Sequence, residues 1–170
     1  MTKPTPINKE KLITTEDVLM IKADRTGVIE YVNYEFAEIS EYEIDELIGK
    51  EIDFLNHPGT PTLVYDHIWE ALFNKKQARA ILKNITKFGM YYWLQVNFDF
   101  KVNEETREIE YIYGYFSKVS DIAKKELDVF YTRVSNIEKH AGPDVAEHYI
   151  EGFMDEKKTD FQTFIEKHMI

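Results

Sequence analysis

The stretch from residue 78 to 119 constrains this chain more than any other, because it reads as three consecutive strands joined by two short polar turns. Ala78 to Ile85 runs into Lys87-Phe88-Gly89. Met90 to Phe100 runs into a polar turn over 102–107, and Glu108 to Val119 completes the set. Trp93, Gln95, Asn97 and Asp99 alternate along the middle strand. The last strand puts Ile109, Tyr111, Tyr113 and Tyr115 on one face and Ile112 and Phe116 on the other. A period of two marks a pleated strand with two distinct faces, and turns this short join antiparallel neighbours.

A second, earlier hairpin precedes this meander. Val18 to Ala23 and Val28 to Val32 are strand-like, and Asp24-Arg25-Thr26-Gly27 between them is turn chemistry: Asp and Thr bond back to the backbone and Gly accepts positive φ. Asn33 stands at a helix N-cap, followed by Phe36, Ile39 and Tyr42 at helical spacing. A short turn of helix with Ile44, Leu47 and Ile48 ends at Gly49, and 51–62 is irregular around His57-Pro58-Gly59-Thr60-Pro61. Leu63, Ile68, Trp69, Leu72 and Phe73 predict an amphipathic helix over 62–73. Two strands, several short helices and three more strands, with antiparallel hairpins and the helices gathered between them, argue for an α+β domain, not a doubly wound α/β fold. We place it at 14–120, after a loose, proline-bearing lead-in at 1–13. From Asp121 the pattern turns helical: Leu127, Phe130, Val134 and Ile137 form an apolar seam that Ala141-Gly142-Pro143 interrupts, followed by further helix with Val145, Tyr149, Phe153, Phe161, Phe164 and Ile165. Residues 121–170 are therefore a helical tail, which either packs back on the domain or presents a partner or dimer surface.

Composition removes several functions. Apolar residues make up 44% and aromatics 14%, enough for a packed core. Apolar runs such as Val18 to Ile21 are far shorter than the roughly 20 residues that cross a bilayer, and the N-terminus lacks a secretory apolar stretch, so we expect a cytoplasmic protein without direct membrane insertion. A net charge of −10, with the basic residues in scattered pairs, argues against nucleic acid. The absence of cysteine excludes disulfides, thiolate-ligated metals and any cysteinyl–flavin adduct. No nucleophile elbow, Walker loop, zinc-protease pair or dinucleotide fingerprint is present, so we expect no enzyme activity.

Several motifs, in order, resemble the PAS domains of Aer-like aerotaxis and energy-taxis receptors. They are Asp24-Arg25-Thr26-Gly27-Val28-Ile29-Glu30-Tyr31-Val32-Asn33, Phe36 with Ile39-Ser40, Glu46-Leu47-Ile48-Gly49, His57-Pro58 with Pro61, Trp69, Lys83-Asn84, Gly89 and Tyr92-Trp93. The resemblance implies a PAS fold, a five-stranded antiparallel sheet flanked by short helices, that encloses FAD and reports redox or oxygen status. It further suggests the stand-alone PAS component of a bipartite system, signalling to a membrane-bound chemotaxis receptor and pairing as a homodimer through the PAS unit or tail. Asn56 stands where this pattern commonly has Arg, and Gly59 where an acid is usual, which removes one bidentate clamp for a diphosphate.

A flavin needs an apolar slot, a stacking face and donors and acceptors for its pyrimidine edge. Trp69 and Trp93 offer stacking area, Asn84 and Asn97 offer amides, and His57 lies in the segment that closes over a PAS pocket. By resemblance, His57, Trp69 and Asn84 fall on FAD-associated positions. Two alternatives stay open: haem b ligated by His67 on the 62–73 helix, and a cofactor-free interaction module whose aromatics fill its own core. Output is expected to run from the last strand into the 121–140 helix.

Overall fold

The computed structural model describes residues 2–170. Its sheet contains β1 (Leu19–Asp24), β2 (Ile29–Val32), β3 (Ala78–Ile85), β4 (Tyr91–Val102) and β5 (Ile109–Ser117), all antiparallel, in the spatial order β2-β1-β5-β4-β3. Between β2 and β3 lie α1 (Tyr34–Ser40), α2 (Ile44–Leu47), a 3-10 turn (Ile52–Leu55) and α3 (Thr62–Phe73). The tail forms α4 (Asp121–Ala141), α5 (Pro143–Lys157) and α6 (Phe161–Lys167).

Local chemistry sets the entry to this arrangement. Asp24 Oδ1 accepts from the Thr26 N–H at 2.8 Å, the Thr26 hydroxyl at 2.7 Å and the Val28 N–H at 3.1 Å, closing the β1–β2 turn. Gly27 completes it with φ +88°, and the Trp69 ring of α3 lies so close that a Cβ there would sit 2.6 Å from the indole. Asn33 caps α1 through the Phe36 N–H, while its amide also bonds Met20 N–H and Val18 C=O, tying the helix to β1.

The register decides which residues line which face. Asn84 pairs with Tyr92, Leu82 with Leu94, Ala80 with Val96 and Ala78 with Phe98. These side chains face inward, together with Ile112, Gly114 and Phe116 of β5 and Leu19 and Ile21 of β1, onto Phe36 and the short helices. Phe116 meets Phe36 at 5.2 Å and Phe98 at 5.9 Å between ring centroids, and the ring of Phe116 occupies the space a Cβ on Gly114 would need. The interior beside β1 and β5 is therefore filled by the protein's own aromatics.

The opposite face carries Ile81, Lys83, Trp93, Gln95 and Asn97, and α4 lies over its β3–β4 half. Trp93 stacks on Tyr131 at 6.1 Å, and the Tyr131 hydroxyl donates to Ile81 C=O at 2.7 Å. The tail thus folds back on its own domain. Gly142, at φ +92°, turns the chain into α5, and Ile165 of α6 is buried near Val64, Ile68 and Ala80. The lead-in is not loose: Lys11 N–H bonds Tyr91 C=O at 2.8 Å, Tyr91 N–H bonds Lys9 C=O at 3.0 Å, and Ile7 N–H bonds Gly89 C=O at 2.8 Å. Backbone pairing to the start of β4, which composition does not reveal, holds it. No helix of the described residues is long and apolar enough to cross a membrane.

Candidate functional site

The half of the interior beside β3, β4 and α3 is chemically unlike the half beside β5. Asn84 and Tyr92 stand opposite each other on the inner face, 2% and 0% exposed, and neither Asn84 Oδ1 nor the Tyr92 hydroxyl has a hydrogen-bond partner. Asn56 meets Asn84 through an antiparallel bridge, and its Oδ1 is likewise buried and unpartnered. Tyr65, on α3, contributes a second unpartnered phenol. One oxygen of Glu41, at the left-handed C-terminus of α1, completes the group, its other oxygen lying 3.4 Å from Lys11 Nζ.

Native interiors pair nearly all buried polar atoms, because each orphan costs about 1–3 kcal/mol. Several in one region set this side apart from the rest of the core. Burial raises the Tyr92 and Tyr65 phenols well above their ordinary range, and the neighbouring Asn84 amide offsets only part of the rise at Tyr92. Both are therefore neutral hydroxyls, able to donate and to accept. Two amide carbonyls and two phenols match the donors and acceptors of a flavin's pyrimidine edge, so the residues fit such a group on chemistry. Trp69, half-buried, stands one helical turn beyond Tyr65 on the same face of α3, against Gly27, and supplies an aromatic wall at the rim.

Of the residues singled out by sequence, Asn84 and Trp69 belong to this side. Trp93 and Asn97 do not: both are on the outer face, Trp93 beneath Tyr131 and Asn97 exposed opposite Arg79. The β3–β4 register pairs residues of equal parity, so an even-numbered Asn84 cannot share a face with odd-numbered Trp93 and Asn97.

His57 also faces the tail side. Its backbone N–H bonds Lys83 C=O at 3.0 Å, its Nδ1 accepts from Gly59 N–H at 2.9 Å, and its ring lies 6.1 Å from Tyr91. Burial first, then repulsion from Lys83, lower its pKa from 6.5 to about 4, with Asp128 opposing. The ring is neutral at pH 7, with the proton on Nε2. It is built into the loop that covers the β3 edge, where Thr60 Oγ1 donates to Lys83 C=O at 2.8 Å.

His67 lies on the outer flank of α3, its ring 4.7 Å from Phe161 of α6 and its Nε2 3.3 Å from Glu147 of α5. A helix turns a residue two positions from Tyr65 to another face, so His67 is directed at the tail and not at an interior haem. Sequence reasoning missed Tyr92, Tyr65, Asn56 and Glu41. Tyr92 was within reach, since the strand containing Asn84 fixes the parity of its partner.

The inner polar group is connected to the tail through single residues of β3 and the loop before α3. Lys83, next to Asn84 but on the outer face, places Nζ 3.0 Å from Asp128 of α4 and over the rings of Tyr91 and Trp93 at 4.4 and 5.6 Å. Ser135 of α4 donates to Pro58 C=O at 3.0 Å.

A family model described as PAS fold matches residues 8–114. The aerotaxis receptor of Escherichia coli (strain K12) is 28% identical over 85 residues, 50% of this chain and 17% of that protein. The bacterioopsin transcriptional activator of Halobacterium salinarum is 28% identical over 99 residues, 57% of this chain and 14% of that one. The chain therefore spans less than a fifth of these curated relatives. Among solved structures, a light-oxygen-voltage domain described with a flavin analogue aligns at TM-score 0.59 and 21% identity, over 64% of this chain and 82% of that one. The light-state Aureochrome1 LOV photoreceptor aligns at 0.58 and 23%, over 64% and 87%. At these identities the two structures share the fold.

Proposed function

The chain belongs to the PAS fold family, and on that premise we propose that it is a redox or oxygen sensor that holds FAD on the β3–β4–α3 side of its interior. The observation that carries this reading is the set of unpartnered buried polar atoms on Asn84, Tyr92, Tyr65 and Asn56 in a largely apolar interior. The aerotaxis receptor among its relatives and the flavin-analogue domain among its structural neighbours support a flavin over other groups. A bound flavin supplies reversible electron transfer accompanied by a change of protonation at its central ring. In this reading Asn84 and Tyr92 bind the pyrimidine edge, Trp69 shields the ring system from water, and the tail signals by contact with a chemotaxis receptor. With no cysteine in the chain, a thiol adduct has no role.

Signal transfer follows from the alternation of β3. Asn84 faces the ligand, and its neighbour Lys83 holds Asp128 of α4. A redox-dependent change in hydrogen bonding at Asn84 would shift the balance between two packings of α4, provided the ligand's contacts differ between the two states. The absorbance of freshly purified protein, before and after incubation with excess FAD, tests the reading. Retained flavin bands are expected. A Soret band, or a bare protein spectrum after FAD has been offered, overturns it. Limited proteolysis of oxidised and reduced protein tests the output, and equal protection of α4 in both states refutes the route through Lys83.

A further inference from the structure

Away from the interior, the tail forms a groove of about 640 Å³ between α4, α5 and α6. Phe130 is its floor, with Phe153 at 4.6 Å, Phe164 at 5.5 Å and Tyr149 at 6.5 Å between ring centroids. The rim is cationic. Lys125, Arg133 and Lys157 border the groove and are exposed, and among the described residues none of them pairs with a carboxylate. The single acid in the lining, Glu126, is already engaged by His168 Nε2 at 2.6 Å. A local excess of positive charge around an aromatic trough is conspicuous in a chain of net charge −10.

Length sets the kind of occupant. The lining runs along α4 from Ile122 to Arg133, about 16 Å at the helical rise, and Ile122 and Val129 extend it as an apolar edge 73% and 64% exposed. A trough three helical turns long, apolar at its base and basic at its rim, has the shape and sign that fit a helix with an apolar stripe flanked by acids. We propose that this groove docks an acidic amphipathic helix of a partner protein. The charge also sets the direction of preference, because basic segments are repelled by the rim. The groove shares no residue with the interior polar group, so the proposal stands whether or not a flavin binds.

The test titrates the full chain with a labelled peptide about four turns long, leucines at i, i+3, i+4 and i+7 and glutamates between them. A control peptide keeps the leucines and replaces glutamate by lysine. Saturable binding of the acidic peptide is expected, at least about tenfold tighter than the basic one and weakened by added salt. Arg133→Glu combined with Lys157→Glu should weaken it by more than about tenfold while unfolding stays cooperative, since the reversal gives up only the Arg133 bond to the Tyr149 hydroxyl and the Lys157 contact with the Phe153 ring. Equal binding of the two peptides, no saturable binding of the acidic one, or indifference to the double charge reversal overturns the proposal. Concentration-dependent self-association that the same charge reversal abolishes overturns it in favour of a second copy.

Discussion

Glu138, near the end of α4, caps the N-terminus of α3 from 75 residues away: its Oε1 accepts the Leu63 N–H at 2.9 Å. Its Oε2 takes the Thr62 N–H at 3.0 Å and the Thr62 hydroxyl at 3.1 Å. Pro61 occupies the cap position and has no side-chain acceptor to offer, so the tail supplies what the local sequence lacks. Glu138→Gln keeps the shape but removes the charge and one of the acceptors. It should lower stability by about 1 kcal/mol, read from the urea midpoint, and should make α4 more sensitive to protease.

The interior orphans predict an unusual sign. Tyr92→Phe and Asn84→Leu each remove a buried polar group whose oxygen makes no hydrogen bond in the structure and whose polar side-chain neighbour is the other of the pair. In ligand-free protein both should leave stability unchanged or raise it by about 1 kcal/mol. If the proposed flavin binds, both should reduce its retention through purification. A loss of stability in the ligand-free variants would show that these atoms are satisfied within the fold.

His57 predicts a pH dependence. Its pKa in the folded protein is depressed to about 4 from 6.5, so between those values the unfolded chain binds more protons than the folded one. The stability linked to this residue is present above pH 6.5 and is lost as the pH falls through about 4. His57→Asn keeps an acceptor for the Gly59 N–H in an Asx turn but does not titrate in this range. Denaturant unfolding across this window should show a shallower slope in the variant.

Gly27→Ala should destabilise for two separable reasons. Alanine at φ +88° costs about 1–2 kcal/mol, and its Cβ would collide with the Trp69 ring. Adding Trp69→Leu should recover the collision but not the backbone cost, and unfolding midpoints of the single and double variants measure the two parts.

The sheet was legible because alternation holds over most of β5: Tyr111, Tyr113 and Tyr115 do lie on the outer face and Ile112 and Phe116 inside, whereas Ile109, expected beside the tyrosines, stands past a register shift, opposite Val102. The α1 cap at Asn33 and the break at Gly142 were legible from local chemistry alone. The ligand side was only half legible. In β4 both faces are buried, one under α4 and one under the short helices, so hydrophobicity does not say which of Tyr92 and Trp93 points inward. Only the register with β3 decides it. Tail docking was not legible, because Glu138 to Leu63 and Tyr131 to Ile81 are partnerships between segments whose own sequences give no sign of each other.

Helix α4 is fastened to the rest of the domain at five separate places: the Trp93–Tyr131 stack with its bond to Ile81, the Lys83–Asp128 pair, the Ser135 bond to Pro58, the Glu138 clasp on α3, and the Lys124 ion pair with Glu10 of the lead-in. These fasteners are spread along one rigid rod, so loosening one leaves the rod held by the others. In the proposed signalling reading, undoing the Lys83–Asp128 pair would therefore tilt α4 between two seated packings, and full release of the helix would need the remaining contacts to give way as well.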